Sequence, residues 1–158
     1  MYALFSGSNG WPAIERRNLH GCKPNEAGTR RRRGFSHRAE NTAYAQYFTG
    51  ECYLNMLTTS GVGIGVVTFA PGTINAWHIH HKGGQILLVT GGRGWYQEDG
   101  KPARALAAGD VVNIPPEVKH WHGAAVDCWF QHLAVEVPVE GASNEWLEFL
   151  PIEDYASL

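Results

Sequence analysis

The spacing of turn residues limits this chain more than any other feature. From residue 44 onward Gly, Pro or an Asp-Gly pair breaks the sequence every few residues to about a dozen, and the runs between are short. Those runs are rich in β-branched and aromatic residues, and none sustains a helical period. Runs of this kind predict strands over 51–58, 63–69, 76–80, 85–90, 94–97, 104–106, 110–114, 120–123 and 129–136. Gly91-Gly92 reads as the turn between the fourth and fifth of these, and Glu98-Asp99-Gly100 as a hairpin turn. Residues 145–150 fit a last strand or a helical turn. Many short strands in one small domain predict an all-β sandwich or barrel.

The first forty residues read differently. They are broken by Gly7, Gly10, Pro12, Gly21, Pro24, Gly28 and Gly34, and they carry eight basic residues against three acidic ones. The remainder carries five against twelve, so the net charge of −2 hides a sharp division. It places a boundary near residue 40, between an irregular basic extension (1–40) and a single folded domain (41–158). The run Arg30-Arg31-Arg32-Arg33 reads as a solvated head. No aromatic residues are interleaved with it in the manner of single-strand binders, so no nucleic-acid partner is expected.

Three cysteines with no CxxC spacing make a poor disulfide framework and suit a reducing compartment. The first residues lack a basic segment followed by an apolar one, and no stretch approaches the ~18 apolar residues of a membrane span. A soluble cytoplasmic protein is the expectation, without a membrane partner. A phosphate-binding loop and GxSxG or CxxC nucleophile motifs are also missing, which excludes the common forms of nucleotide and thiol chemistry.

Five of the eight histidines lie in two short strand-like segments, His78-Ile79-His80-His81 and His120-Trp121-His122. Residues i and i+2 of a strand face the same side, so His78 and His80 project together and Ile79 points away. Gln85 follows across a Gly-containing loop and opens the next strand, where its amide oxygen can face the same space. Imidazole nitrogens suit Zn, Fe, Ni, Cu or Mn, and an oxygen ligand shifts the preference toward harder ions. Three neutral imidazoles and one neutral amide leave a dication its full charge and open positions for water or substrate. His81 alternates away from His80 and is expected to face solvent. His122 shares the face of His120, where it either lines the cavity or holds a ligand in orientation. Trp77, Trp95, Trp121 and Trp129 read as barrel packing.

The two segments resemble the paired motifs of the cupin superfamily. Gly72, His78, His80, Gln85 and Gly92 keep the spacing of the first motif, with Gln85 in place of the usual Glu. Gly109, Pro115 and His120 keep that of the second, with Glu117 replacing a Gly and Ala124 an Asn. Within the superfamily the chain is similar to small carboxymuconolactone-decarboxylase-like cupins, a group that includes bacterial manganese-dependent hydroxynitrile lyases. The phrases that carry this likeness are Gly92-Arg93-Gly94-Trp95 and Lys119-His120-Trp121-His122-Gly123-Ala124-Ala125, followed by His132-Leu133-Ala134.

The resemblance implies a jelly-roll barrel over about residues 44–140, often as a homodimer. It implies one divalent transition metal, manganese first and iron, zinc or nickel as alternatives, on His78, His80, Gln85 and His120. It makes His132 the general base and puts Gly65, Val67, His122 and Glu136 in the substrate pocket, Glu136 standing where the lyases have Gln. The implied function is a metal-dependent lyase on a small hydroxylated or carbonyl substrate, either hydroxynitrile-lyase-like or decarboxylase-like. Two alternatives stay open: an Fe or Mn dioxygenase, and a non-catalytic module that binds a small ligand.

Overall fold

The computed structural model describes residues 41–158. The expected basic extension over 1–40, with its arginine run and Cys22, lies outside the described residues. A short 3-10 turn, Ala45–Tyr47, leads into β1 (Cys52–Thr58) and β2 (Gly63–Phe69). There follow β3 (His78–His81), β4 (Gln85–Glu98), β5 (Arg104–Ala107), β6 (Val111–Ile114), β7 (His120–Ala124) and β8 (Phe130–Glu136). The chain ends with β9 (Ser143–Trp146) and a single helical turn, α1 (Ile152–Ala156). All pairings are antiparallel.

The strands form the two faces of a jelly roll, and β4 belongs to both. Its first half pairs with β6 and β8, extending through β2 to β1. Its second half pairs with β5 and β7, and β7 joins β3 and β9. The sequence reading of Gly91-Gly92 as a turn between two strands is therefore corrected: β4 is one strand that bends there. The register with β8 slips between Val89 and Gly91, the mark of a bulge. Gly92 is essential to that bend. Its φ is +75°, and a Cβ would sit 1.7 Å from the Trp129 carbonyl oxygen.

Alternation along the strands sends one set of side chains between the two faces. Phe69, Leu87, Ile114 and Phe130 are fully buried there beside Val67, Val89, Tyr96 and Leu106. Each such aliphatic or aromatic side chain contributes about 1.5–3 kcal/mol relative to exposure. A second cluster, Ile74, Trp77, Trp121 and Tyr155, covers the outer side of the β3–β7 face. The Tyr155 hydroxyl donates to the Ala124 carbonyl at 2.9 Å and so pins α1 onto β7.

Three further expectations are modified. Cys128 is disulfide-bonded, so the reading of the cysteines as a poor disulfide framework is overturned; Cys52 is free and buried. Trp129 is 38% exposed and packs against Tyr53 at the surface instead of within the barrel. Of the two options for 145–150, the start is strand: β9 pairs along all of β3, with Trp146 opposite His78. Among the described residues no helix is long and apolar enough to cross a membrane.

Candidate metal centre

Three imidazoles converge because of strand register. His78 and His80 stand two apart on β3, and His120 opens β7 directly opposite His78. One ligand atom from each lies within 4.8 Å of the others, and all three side chains are buried. Gln85, at the start of β4, is also buried, opposite Glu136 of β8. The structure thus brings the expected residues to one place from both faces of the barrel.

Backbone carbonyls fix which nitrogen two of the three rings present. His78 Nδ1 donates to the Ala76 carbonyl at 3.0 Å, and His120 Nδ1 to the Val118 carbonyl at 2.9 Å. A carbonyl can only accept, so both rings carry their proton on Nδ1 and offer the Nε2 lone pair. Gln85 is oriented in the same manner. Its amide nitrogen donates to Glu136 Oε1 at 2.5 Å, which leaves Oε1 as the atom without a partner. His80 Nδ1 stands 3.3 Å from Glu136 Oε2, close enough for attraction but outside hydrogen-bond geometry, so both its nitrogens remain unbonded.

His120 Nε2 and Gln85 Oε1 are therefore buried acceptors with nothing to accept from, and both ring nitrogens of His80 are buried without a partner. Buried polar atoms are normally satisfied, and a cluster of lone pairs facing one another is costly unless a cation sits among them. The residues present fit a divalent metal. Their charge state fits as well: burial, reinforced by the neighbouring imidazoles, holds His78 well below its ordinary value, and burial holds His120 down at about 4. Both are neutral, as ligands must be, throughout the physiological range.

The cluster lies in the wall of a cavity of about 440 Å³. Gly65, Val67, His122, His132 and Glu136 all line it. His132 is fully buried, neither ring nitrogen has a partner, and burial holds it down at about 3. Phe69 and Phe130 flank its ring at 5.8 and 5.4 Å between centroids. Glu136 is half-buried. Burial pushes its carboxyl up, but His80 and Gln85 outweigh that and bring it below the ordinary carboxylate value. His122 does not hold a metal-ligand candidate in orientation. The one ring partner it has is Asn75, at 3.2 Å, and its other nitrogen is unbonded.

His81 faces outward as expected, between two carboxylates. Its Nδ1 is 2.6 Å from Glu117 and its Nε2 is 2.9 Å from Glu145; those two partners raise it above its ordinary value. Glu117 occupies the place of a motif Gly and keeps the backbone a Gly would adopt, with φ +66°. Its contacts to His81 and to the Lys82 backbone N–H, at 3.0 Å, hold it there.

Two site residues escaped the sequence reading. Trp146 stacks on His78 at 4.6 Å and on Tyr47 at 4.5 Å, closing one side of the cavity. The only signal was an aromatic residue in a segment with no clear period. Asn75 is buried beneath His122, three positions before His78, inside the first motif but at none of its defining positions.

Comparison with known proteins agrees with this geometry. The model of the cupin domain matches residues 65–128. The (R)-mandelonitrile lyase of Granulicella tundricola is 39% identical over 115 residues, covering 70% of this chain and 87% of that protein. The crystal structure of a cupin-like protein from Thermotoga maritima is 42% identical, with a TM-score of 0.72 over 78% of this chain and 94% of its own. A predicted oxalate decarboxylase from Thermotoga maritima shares the fold at 20% identity, with a TM-score of 0.54 over 58% of this chain and 84% of its own. With the two-faced jelly roll, its histidines in motif spacing and a relative this similar over most of its length, the chain belongs to the cupin family.

Proposed function

We propose that this chain is a metal-dependent lyase acting on a small hydroxylated or carbonyl compound, with hydroxynitrile cleavage as the first reaction to test. The supporting observation is the trio of buried imidazoles whose ligand atoms lie within 4.8 Å of one another, beside a cavity that also holds the unbonded His132. The name of the Granulicella relative favours the hydroxynitrile reaction over a decarboxylation.

In this reading His78, His80, His120 and the Gln85 amide oxygen hold the ion, with manganese first and iron, zinc or nickel as alternatives. A divalent ion there supplies Lewis-acid stabilisation of negative charge on a substrate oxygen. His132 takes the proton of the substrate hydroxyl. Burial holds it uncharged at neutral pH, so no proton already occupies its lone pair. Leu54, Val67, Phe69 and Ala134 line the cavity with apolar surface, which suits the uncharged body of a small alcohol or aldehyde. Among the described residues no Lys or Arg lines it.

The assembly we expect is a homodimer, as the family resemblance implies, and light scattering measures it. The cytoplasmic placement expected from the sequence stands against the Cys128 disulfide, since such bonds persist mainly in oxidising compartments. Fractionation of cells distinguishes the two.

The central test is metal content of protein purified without added metal, beside His120→Ala. Near-stoichiometric manganese or iron in the wild type, lost in the variant, supports the site. It is then followed by cyanide release from racemic mandelonitrile and by oxygen uptake with the same panel of compounds. A protein that retains no metal even after loading overturns the proposal. Oxygen consumption without cyanide release would move it to the oxidoreductase reading.

A further inference from the structure

His122 is fully buried in the cavity wall and no step above uses it. Asn75 clamps it through three hydrogen bonds. The Asn75 backbone N–H donates to the His122 carbonyl at 3.1 Å. The His122 backbone N–H donates to Asn75 Oδ1 at 2.9 Å. The Asn75 side-chain nitrogen meets His122 Nε2 at 3.2 Å.

The second of these bonds decides the third. A backbone N–H can only donate, so the Asn75 atom facing it must be the oxygen, and the amide cannot be flipped. The atom facing His122 Nε2 is then the NH₂ group, which can only donate. Nε2 must therefore accept, and the ring proton of neutral His122 sits on Nδ1. That Nδ1–H has no acceptor among the described residues. The nearby His132 ring, 5.0 Å away and nearly perpendicular, is not bonded to it.

We infer that Asn75 is a positioning residue: it locks His122 as an Nδ1–H donor for the molecule held in the cavity. The donor is uncharged and fixed before anything binds, which is the condition under which one hydrogen bond to developing negative charge is worth most. The identity of the acceptor rests on the reading of this cavity as the substrate site, whereas the tautomer does not.

The test uses the full chain loaded with zinc, so that nitrogen-15 spectra of the histidines can be recorded. In the wild type, His122 should show a protonated Nδ1 and a bare Nε2. Asn75→Asp keeps the acceptor for the His122 backbone N–H but has no NH₂ to offer, so the proton should move to Nε2. Benzaldehyde is the binding probe. It should shift the His122 Nδ1–H signal in the wild type, with no such signal left to shift in N75D. With manganese bound and mandelonitrile as substrate, N75D should lower kcat by about 100-fold, at unchanged metal content and with KM moved far less.

A wild-type His122 protonated on Nε2 overturns the assignment outright. A tautomer that does not respond to N75D removes Asn75 from the role. An Nδ1–H signal indifferent to benzaldehyde removes the donor role. If mandelonitrile is not turned over at all, the proposed reaction fails, while the tautomer and the benzaldehyde shift still decide this inference. Asn75→Ala, which frees the ring without adding charge, should give a mixture of tautomers and an intermediate kcat.

Discussion

Metal-free protein should lose stability steeply on mild acidification, and His132 allows the size of the loss to be worked out. It is fully buried and held at about 3, against about 6.5 in an unfolded chain. The folded state keeps this ring neutral, whereas the unfolded chain takes up a proton below its own pKa. The stabilisation is therefore complete above about pH 6.5 and is lost as pH falls toward 3. At pH 5 the unfolded form is favoured by about 2 kcal/mol from this one group. His120, held at about 4, adds about 2 kcal/mol more at the same pH. Together they remove about 4 kcal/mol, a large part of the 5–15 kcal/mol typical of a domain. His78 and His122 are shifted in the same direction and steepen the loss. Urea unfolding of EDTA-treated protein at a series of pH values measures the slope. His132→Leu isolates the share of one ring. It changes the absolute stability, but between about pH 7.5 and pH 5 it should lose about 2 kcal/mol less than the wild type. If the two curves run parallel, His132 is not a buried neutral imidazole and the proton-acceptor role falls with it.

Two other outcomes are expected. Glu136→Leu removes the acceptor that turns the Gln85 amide and should weaken manganese binding about 10–100-fold, whereas Glu136→Gln, which still offers an oxygen, should recover most of it; competition titration with a metal-sensitive dye reads both. Gly92→Ala forces a Cβ against the Trp129 carbonyl at a left-handed φ and should cost more than about 2 kcal/mol. Gly91→Ala, with open space around it, should change stability by less than about 1 kcal/mol. Paired urea melts that show equal losses would refute the bend at Gly92.

The candidate metal cluster was legible because its chemistry and its spacing carry the same message. A strand period of two aligns His78 with His80, and motif spacing brings in Gln85 and His120. The continuity of β4 was not legible, because a Gly-Gly pair marks a turn and a bulge equally well. What separates them is the Trp129 backbone, just before β8, pressed against Gly92 from 37 residues away in sequence. Trp146 was missed for a related reason: its partner strand is β3, far back in the chain, and its own segment is too short to show a period. Asn75 could not be found at all from sequence. An asparagine before a strand reads as a turn former, and only the backbone of His122 gives its amide a direction. The Cys128 disulfide was misread because spacing cannot show which thiols meet.

The two faces of the barrel divide the work of the site. His78, His80, His120 and His122 all stand on β3 and β7, with Trp146 beside them on β9. Leu54 and Met56 on β1, Gly65, Val67 and Phe69 on β2, and His132, Ala134 and Glu136 on β8 form the opposite wall. Gln85 is the exception, contributed by the half of β4 that lies on the second face and held there by Glu136. His78 and His120 are thus held by carbonyls beside their own strands, whereas Glu136 reaches across from the other wall to His80 and to the Gln85 amide. A change in the size of the β1 or β2 side chains alters the room left for substrate without touching a ligand. In the proposed site a change at Glu136 would reach the ion through Gln85 and His80. On the proposed reading, that asymmetry is a physical reason why one scaffold could keep a metal while its wall, and with it the molecule it accepts, is exchanged.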